Sequence, residues 1–182
     1  MRVWNLGKAS VLLASALSLG SPASGGECHH VAGKVVQTPL ATYGAPMDPF
    51  GRGLSTATGT INGVGSTIVT SVAMGPDGPA SGNWNAICRD LYVVNPQDQL
   101  VFDGMTAVSA IPGNYTDANS TTVLAVNGAM SLGRFAGATG TVTLTGVAYD
   151  FYGQSFPFPG AAPGASYFVG QYEGEICLTN AR

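Results

Sequence analysis

Side chains able to move a proton or hold a metal are scarce in this chain and fall into a few short stretches. The best patterned is "YFVGQYEGEICL", Tyr167 to Leu178. With the period of two that a β-strand imposes, Phe168, Tyr172, Ile176 and Leu178 share one face, and Gln171, Glu173, Glu175 and Cys177 share the other. Carboxylates turned into an apolar interior resist ionisation and can serve as proton donors or acceptors. Turned to water they are ordinary surface acids, which is where glutamates usually lie. Phe168, Tyr172, Glu173 and Glu175 are the residues this strand offers to a ligand. "CRDLY" places Asp90 beside Arg89, but neighbours in a strand point to opposite faces and form no clamp. In "FDGM", Asp103 reads as a turn residue, because Asp-Gly favours a hairpin turn. No Ser–His–Asp set stands out, and no catalytic residue is assigned.

Metal chemistry would have to use "CHH", Cys28 to His30. A second ligand pair at finger spacing is missing, and adjacent histidines in a strand diverge. The sequence thus calls for no metal, and no motif in it calls for a cofactor. Three cysteines, Cys28, Cys88 and Cys177, leave one over when a pair bridges in an oxidising compartment. The third stays free or pairs between chains.

The elements that must position these groups begin after an export segment. Residues 1–23 read as a signal peptide: Arg2 and Lys8, then the apolar run "ASVLLASALSL", then small residues with a cleavage point after Ala23. The run is well short of the ~20 residues a spanning helix needs, so the protein is expected to be secreted or periplasmic and not membrane-spanning. Removing the segment takes two of the seven basic residues and none of the ten acids, leaving a net charge of −5. The remaining basic residues are scattered, with no stripe to follow a phosphate backbone, which argues against nucleic acid. Charged residues are 9% of the chain against about 25% in an average domain, while 45% are hydrophobic, so the chain can bury a core and is not disordered.

Residues 27–182 read as one all-β domain. Helical periodicity is absent, and short strand-like runs alternate with turn residues. The runs are "HVAGKVVQT", "GTINGVG", "STIVTSVAM", "WNAICRDLYVV", "LVFDGMTAVSAI", "STTVLAVNGAM", "GRFAGATGTVTLTGVAYDFY" and "SYFVGQYEGEICLTN"; "PLATYGAPMDPFGRG" reads as a connection. In "GTVTLTG", Val142 and Leu144 face one way and Thr141, Thr143 and Thr145 the other, the mark of a half-buried antiparallel strand. Gly133, Gly137 and Gly140 suit positive φ or a tight corner, with Phe135 as a plug beneath it.

"GRFAGATGTVTLTG", followed by "YEGEICL", resembles the allene oxide cyclase barrel-like superfamily, which includes allene oxide cyclases and dirigent proteins, and is most like its exported bacterial members. The resemblance covers about the last fifty residues. It implies an antiparallel eight-stranded barrel with a largely hydrophobic lumen. It assigns no catalytic residue, because "HVAGKVVQTPLATYG" has no counterpart of the cyclase motif and Asp90, Asp103 and Asp150 map onto no dirigent aspartate. In such a closed barrel the first and last strands are neighbours, which predicts a Cys28–Cys177 bridge with Cys88 reduced; Cys88–Cys177 is the runner-up.

The expected function is binding of a small hydrophobic molecule in the lumen. A cofactor-free cyclase, isomerase or dirigent-type protein is one alternative, and a non-catalytic cell-surface structural or interaction protein is the other. A lumen with room for a ligand favours binding, and a carboxylate deep inside favours an enzyme. A filled interior with an exposed apolar strip favours interaction.

Overall fold

A computed structural model describes residues 26–41, 52–75, 81–114, 116–151 and 167–179. The export segment expected at 1–23 lies outside them. Eight strands follow in order: β1 (Glu27–Ala41), β2 (Arg52–Gly59), β3 (Gly63–Met74), β4 (Trp84–Val93), β5 (Gln99–Ala110), β6 (Ala118–Val126), β7 (Thr139–Tyr149) and β8 (Tyr167–Leu178). Each pairs antiparallel with the next, and β8 returns to β1, closing the barrel. Cys28 lies directly opposite Cys177 in the closing pair, and the two are joined by a disulfide, with Cys88 free and buried. The expected bridge is therefore the one formed.

Alternation sets the walls. On β7, Val142 and Leu144 are buried while Thr141 and Thr145 are exposed and Thr143 half-buried. On β8, Phe168 and Tyr172 are buried between exposed neighbours, and Ile176 is buried between exposed Glu175 and half-buried Cys177. The end of the barrel beside the disulfide is sealed: Phe135, in the 3₁₀ turn Gly133–Phe135, is buried in one core with Val31, Leu100 and Ile176. Gly133, Gly137 and Gly140 have φ of +62°, +74° and +133°.

Tyr172 fastens this end. Its ring crosses β1 at Gly33, and its hydroxyl accepts from the Ile61 N–H (2.7 Å) and donates to the Ile61 carbonyl (3.1 Å). A Cβ at Gly33 would lie 2.6 Å from that hydroxyl, so only glycine lets the ring pass. One side chain on the last strand thus satisfies both backbone groups of a residue in the β2–β3 turn.

Two expectations are corrected. "GTINGVG" is not one strand but the end of β2, the turn Thr60–Asn62 and the start of β3: Asn62 receives the Gly59 N–H (3.0 Å) and donates to the Gly59 carbonyl (2.9 Å). The second strand is the preceding Arg52–Gly59, whose start falls in the segment read as a connection. Asp103 does not turn the chain; it sits within β5, paired across the outer wall with Arg89 (2.6 Å) and receiving Asn127 Nδ2 (2.6 Å). Gly104 after it faces the interior against Leu124, so this glycine serves close packing.

Gly140 carries the clearest test of the corner. A Cβ there would run into the Glu175 carbonyl oxygen, and the positive φ resists any branched residue. Gly140→Val is expected to cost about 3 kcal/mol in chemical denaturation, whereas Thr143→Val, on the outer face of the same strand, should change stability by about 0.5 kcal/mol or less. Equal midpoints for the two variants would contradict this account of the corner.

Candidate functional site

The interior changes character along the barrel axis. Towards the disulfide end it is dry and apolar. Midway, Val35, Phe102, Leu124, Leu144, Tyr92 and Tyr172 are among the residues around a void of about 20 Å³, room for about one water. Towards the other end, where the β1–β2, β3–β4, β5–β6 and β7–β8 connections fall, the interior first crosses a polar band with Gln37, Thr67 and Thr106 half-buried, and then a second small apolar core of Val108 and Ala118 with Trp84, Ala110 and Phe151 packed against it.

β4 supplies the chemistry. Its alternation turns Arg89 outward to Asp103 and brings Cys88, Asp90 and Tyr92 to the interior. Asp90 stands opposite Thr67 on β3 and Phe102 on β5. It is 1% exposed, and its Oδ1 meets no hydrogen-bond donor. The Thr67 hydroxyl hydrogen-bonds the carboxyl group and is itself tied to its neighbours. Gln37 Nε2 donates to Thr67 Oγ1 (2.8 Å), and Thr67 and Ser55 share a hydrogen bond (2.9 Å). Further along, Thr106 and Thr122 share another (2.8 Å), with the Cys88 sulfur 3.7 Å from Thr106.

Burial dominates the electrostatics. It pushes the Asp90 carboxyl up to about 6, and the nearby Thr67 hydroxyl offsets only part of the effect. Burial and then the charge of Asp90 push the Cys88 thiol up to about 12. Such a thiol stays protonated and is no nucleophile. Burial, followed by Asp90, also raises the Tyr92 phenol, which therefore remains a neutral hydroxyl. Of these three interior groups, Asp90 is the one that can change charge near neutral pH.

Of the four closing-strand candidates, Phe168 and Tyr172 are buried in the interior, whereas Glu173 and Glu175 are exposed on the outer wall. The strand does not bring these two pairs together. Glu173 instead lies 3.9 Å from His30 across the β1–β8 seam. Cys28, Glu175 and Cys177 are close enough to share an ion, but the disulfide occupies both sulfurs. Asp90 was set aside in the sequence as half of a failed clamp. The signal that marks it is the i, i+2, i+4 series Cys88, Asp90, Tyr92, which puts an acid on the face of a thiol and an aromatic ring.

Among the described residues the outer wall carries short apolar rows, Val36 beside Val169 across the β1–β8 seam and a more exposed one on β4 to β6. Ile87, Met105 and Val123 are direct cross-strand neighbours on β4, β5 and β6, and each is at least half exposed. Three residues make a patch no larger than ordinary monomers present. Among the described residues, no helix is long and apolar enough to cross a membrane. No family model, curated protein or solved structure matches the chain.

Asp90 binds its proton more readily in the folded chain than in the unfolded one, where its value is near 3.8. Its stabilising contribution is complete below pH 4 and is lost as the pH rises through about 6. The loss amounts to about 3 kcal/mol. Asp98, Asp103 and Asp117, held low by hydrogen bonds, work in the opposite sense and lose their contribution as the pH falls. Asp90→Asn isolates the first effect: the variant should gain stability over the parent progressively between pH 4 and 7 in urea denaturation. A constant difference across that range would contradict the burial cost assigned to Asp90.

Proposed function

We propose that this is an exported barrel that binds a small molecule at the polar band of its lumen, with Asp90 as the group the ligand meets. The observation that carries this reading is the unpartnered Asp90 oxygen where polar and apolar interiors join. A buried carboxyl oxygen without a donor costs free energy and lowers stability at neutral pH, and such costs concentrate at sites of function. Packing of the disulfide half leaves space for about one water, so a long lipid-like molecule has no berth there. The ligand has a modest apolar body, and its polar group completes Asp90. Export is supported by the leader-like residues 1–23 and by the disulfide, which persists in oxidising compartments.

A second reading is favoured by the acidity of Asp90. A carboxyl titrating near 6 can give and take protons at neutral pH, as a cofactor-free isomerase or cyclase requires. The resemblance to the allene oxide cyclase barrel-like superfamily points the same way. Binding is the more economical reading, because it needs no second acid or base, and the neighbouring thiol and phenol both stay protonated.

Screening small fragments by amide NMR tests the proposal. Saturable shifts are expected at Thr67, Asp90, Tyr92 and Phe102, and Asp90→Leu should abolish them while the fold persists. Fragments that shift only outer-wall residues such as Ile87, Met105 and Val123 would overturn lumen binding in favour of an interaction surface.

A further inference from the structure

The seam that closes the barrel carries chemistry of its own, independent of the lumen. Strand alternation places Cys28 and His30 on the outer face of β1, and Glu175 and Cys177 on the outer face of β8. Cys28 lies directly opposite Cys177, and His30 directly opposite Glu175, so the four side chains occupy adjoining positions on one patch of the wall. Three of them already crowd together. The two sulfurs and a Glu175 carboxylate oxygen all lie within 4.8 Å of one another, and the Cys177 sulfur is 3.6 Å from Glu175 Oε1. His30 places its Nε2 3.9 Å from Glu173, a contact between two exposed side chains that holds neither firmly.

With the bridge intact, the sulfurs are bound to each other. Opening it leaves two thiols and a carboxylate at a spacing one tetrahedral ion can span. Ligands held about 2.0–2.3 Å from zinc stand roughly 3.3–3.8 Å from one another, so small side-chain movements are enough to close the set. Thiolates are soft donors and select zinc over magnesium or calcium, which prefer shells of oxygen. The remaining cysteine, Cys88, is buried inside the barrel and takes no part.

We propose that reduction of the Cys28–Cys177 bridge turns this patch of the seam into a zinc site, with Cys28, Cys177 and Glu175 as ligands and His30 completing the tetrahedron. The opening step is exchange with a dithiol. One thiolate of the reductant attacks a sulfur of the bridge to give a mixed disulfide, and its second thiol releases the protein as two free thiols while the reductant leaves as a cyclic disulfide. Zinc then displaces the two thiol protons to solvent. The ion ties the same strands at the same register as the disulfide, so the barrel stays closed in both redox states.

The full chain is reduced without oxygen by a phosphine, which leaves as its oxide, and is titrated with cobalt(II) as a coloured stand-in for zinc. The thiolate-to-cobalt charge-transfer band and the visible bands of a tetrahedral ion are expected to saturate at one ion per chain and to vanish when zinc is added. The bridged chain should show neither. Cys88→Ala should bind as the parent does. Glu175→Gln should weaken binding by at least about tenfold, the least that loss of even an outer-shell partner costs. Zinc, but not magnesium, should also restore the melting temperature lost on reduction, because an ion held by the folded seam stabilises it. A reduced chain without the cobalt bands overturns the proposal, as does equal affinity in Glu175→Gln. Zinc that binds yet leaves the melting temperature of the reduced chain unchanged overturns it too, since the ion would then sit on thiols outside the folded seam.

Discussion

Everything in this barrel depends on the meeting of its first and last strands. The other seven pairings join neighbours along the chain, whereas β1 and β8 must find each other across nearly the whole domain. They pair from Glu27–Leu178 through Gln37–Phe168. Two devices secure this seam. The Cys28–Cys177 bridge, spanning 149 residues, removes unfolded-chain freedom worth up to about 5 kcal/mol in a loop-entropy account. Tyr172 reaches from β8 over Gly33 of β1 to hold both backbone groups of Ile61, so closure also fixes the β2–β3 turn.

A closure this firm lets the interior accommodate a group that works against folding. The sealed half, around Leu100, Phe135 and Ile176, has the apolar packing that stabilises any small barrel. Asp90, beyond it, lowers stability as soon as it ionises. Replacing it with an apolar residue would be the simpler way to fill a core. Its place opposite Thr67 and Phe102, among hydroxyls that satisfy one another and not its Oδ1, is what a binding group awaiting its counterpart looks like.

The sequence made some of this legible and obscured the rest for physical reasons. The threonine alternation of β7 and the three corner glycines follow from local rules, and they predicted both the faces and the positive φ values. β2 was hidden because its pattern is inverted. Small Ser55 and Ala57 face inward where the barrel is crowded, and Leu54 is 51% exposed, so hydrophobicity gave no half-buried signature. Asp90 was hidden in a related way. In "CRDLY" an acid beside a leucine suggests acid out and leucine in, yet the register fixed by β3 and β5 turns Asp90 inward and leaves Leu91 only half-buried. Periodicity says which residues share a face; which face is the inside is decided by neighbours far along the chain.

The central claim is that Asp90 is a buried acid with one carboxyl oxygen left without a donor, on which the proposed binding role rests. Its side-chain carboxyl carbon reports this directly by ¹³C NMR as the pH is varied in the ligand-free protein. A midpoint near 6 is the result predicted here. A midpoint at the ordinary aspartate value near 3.8 would show that Asp90 is solvated or already paired, and would contradict the account.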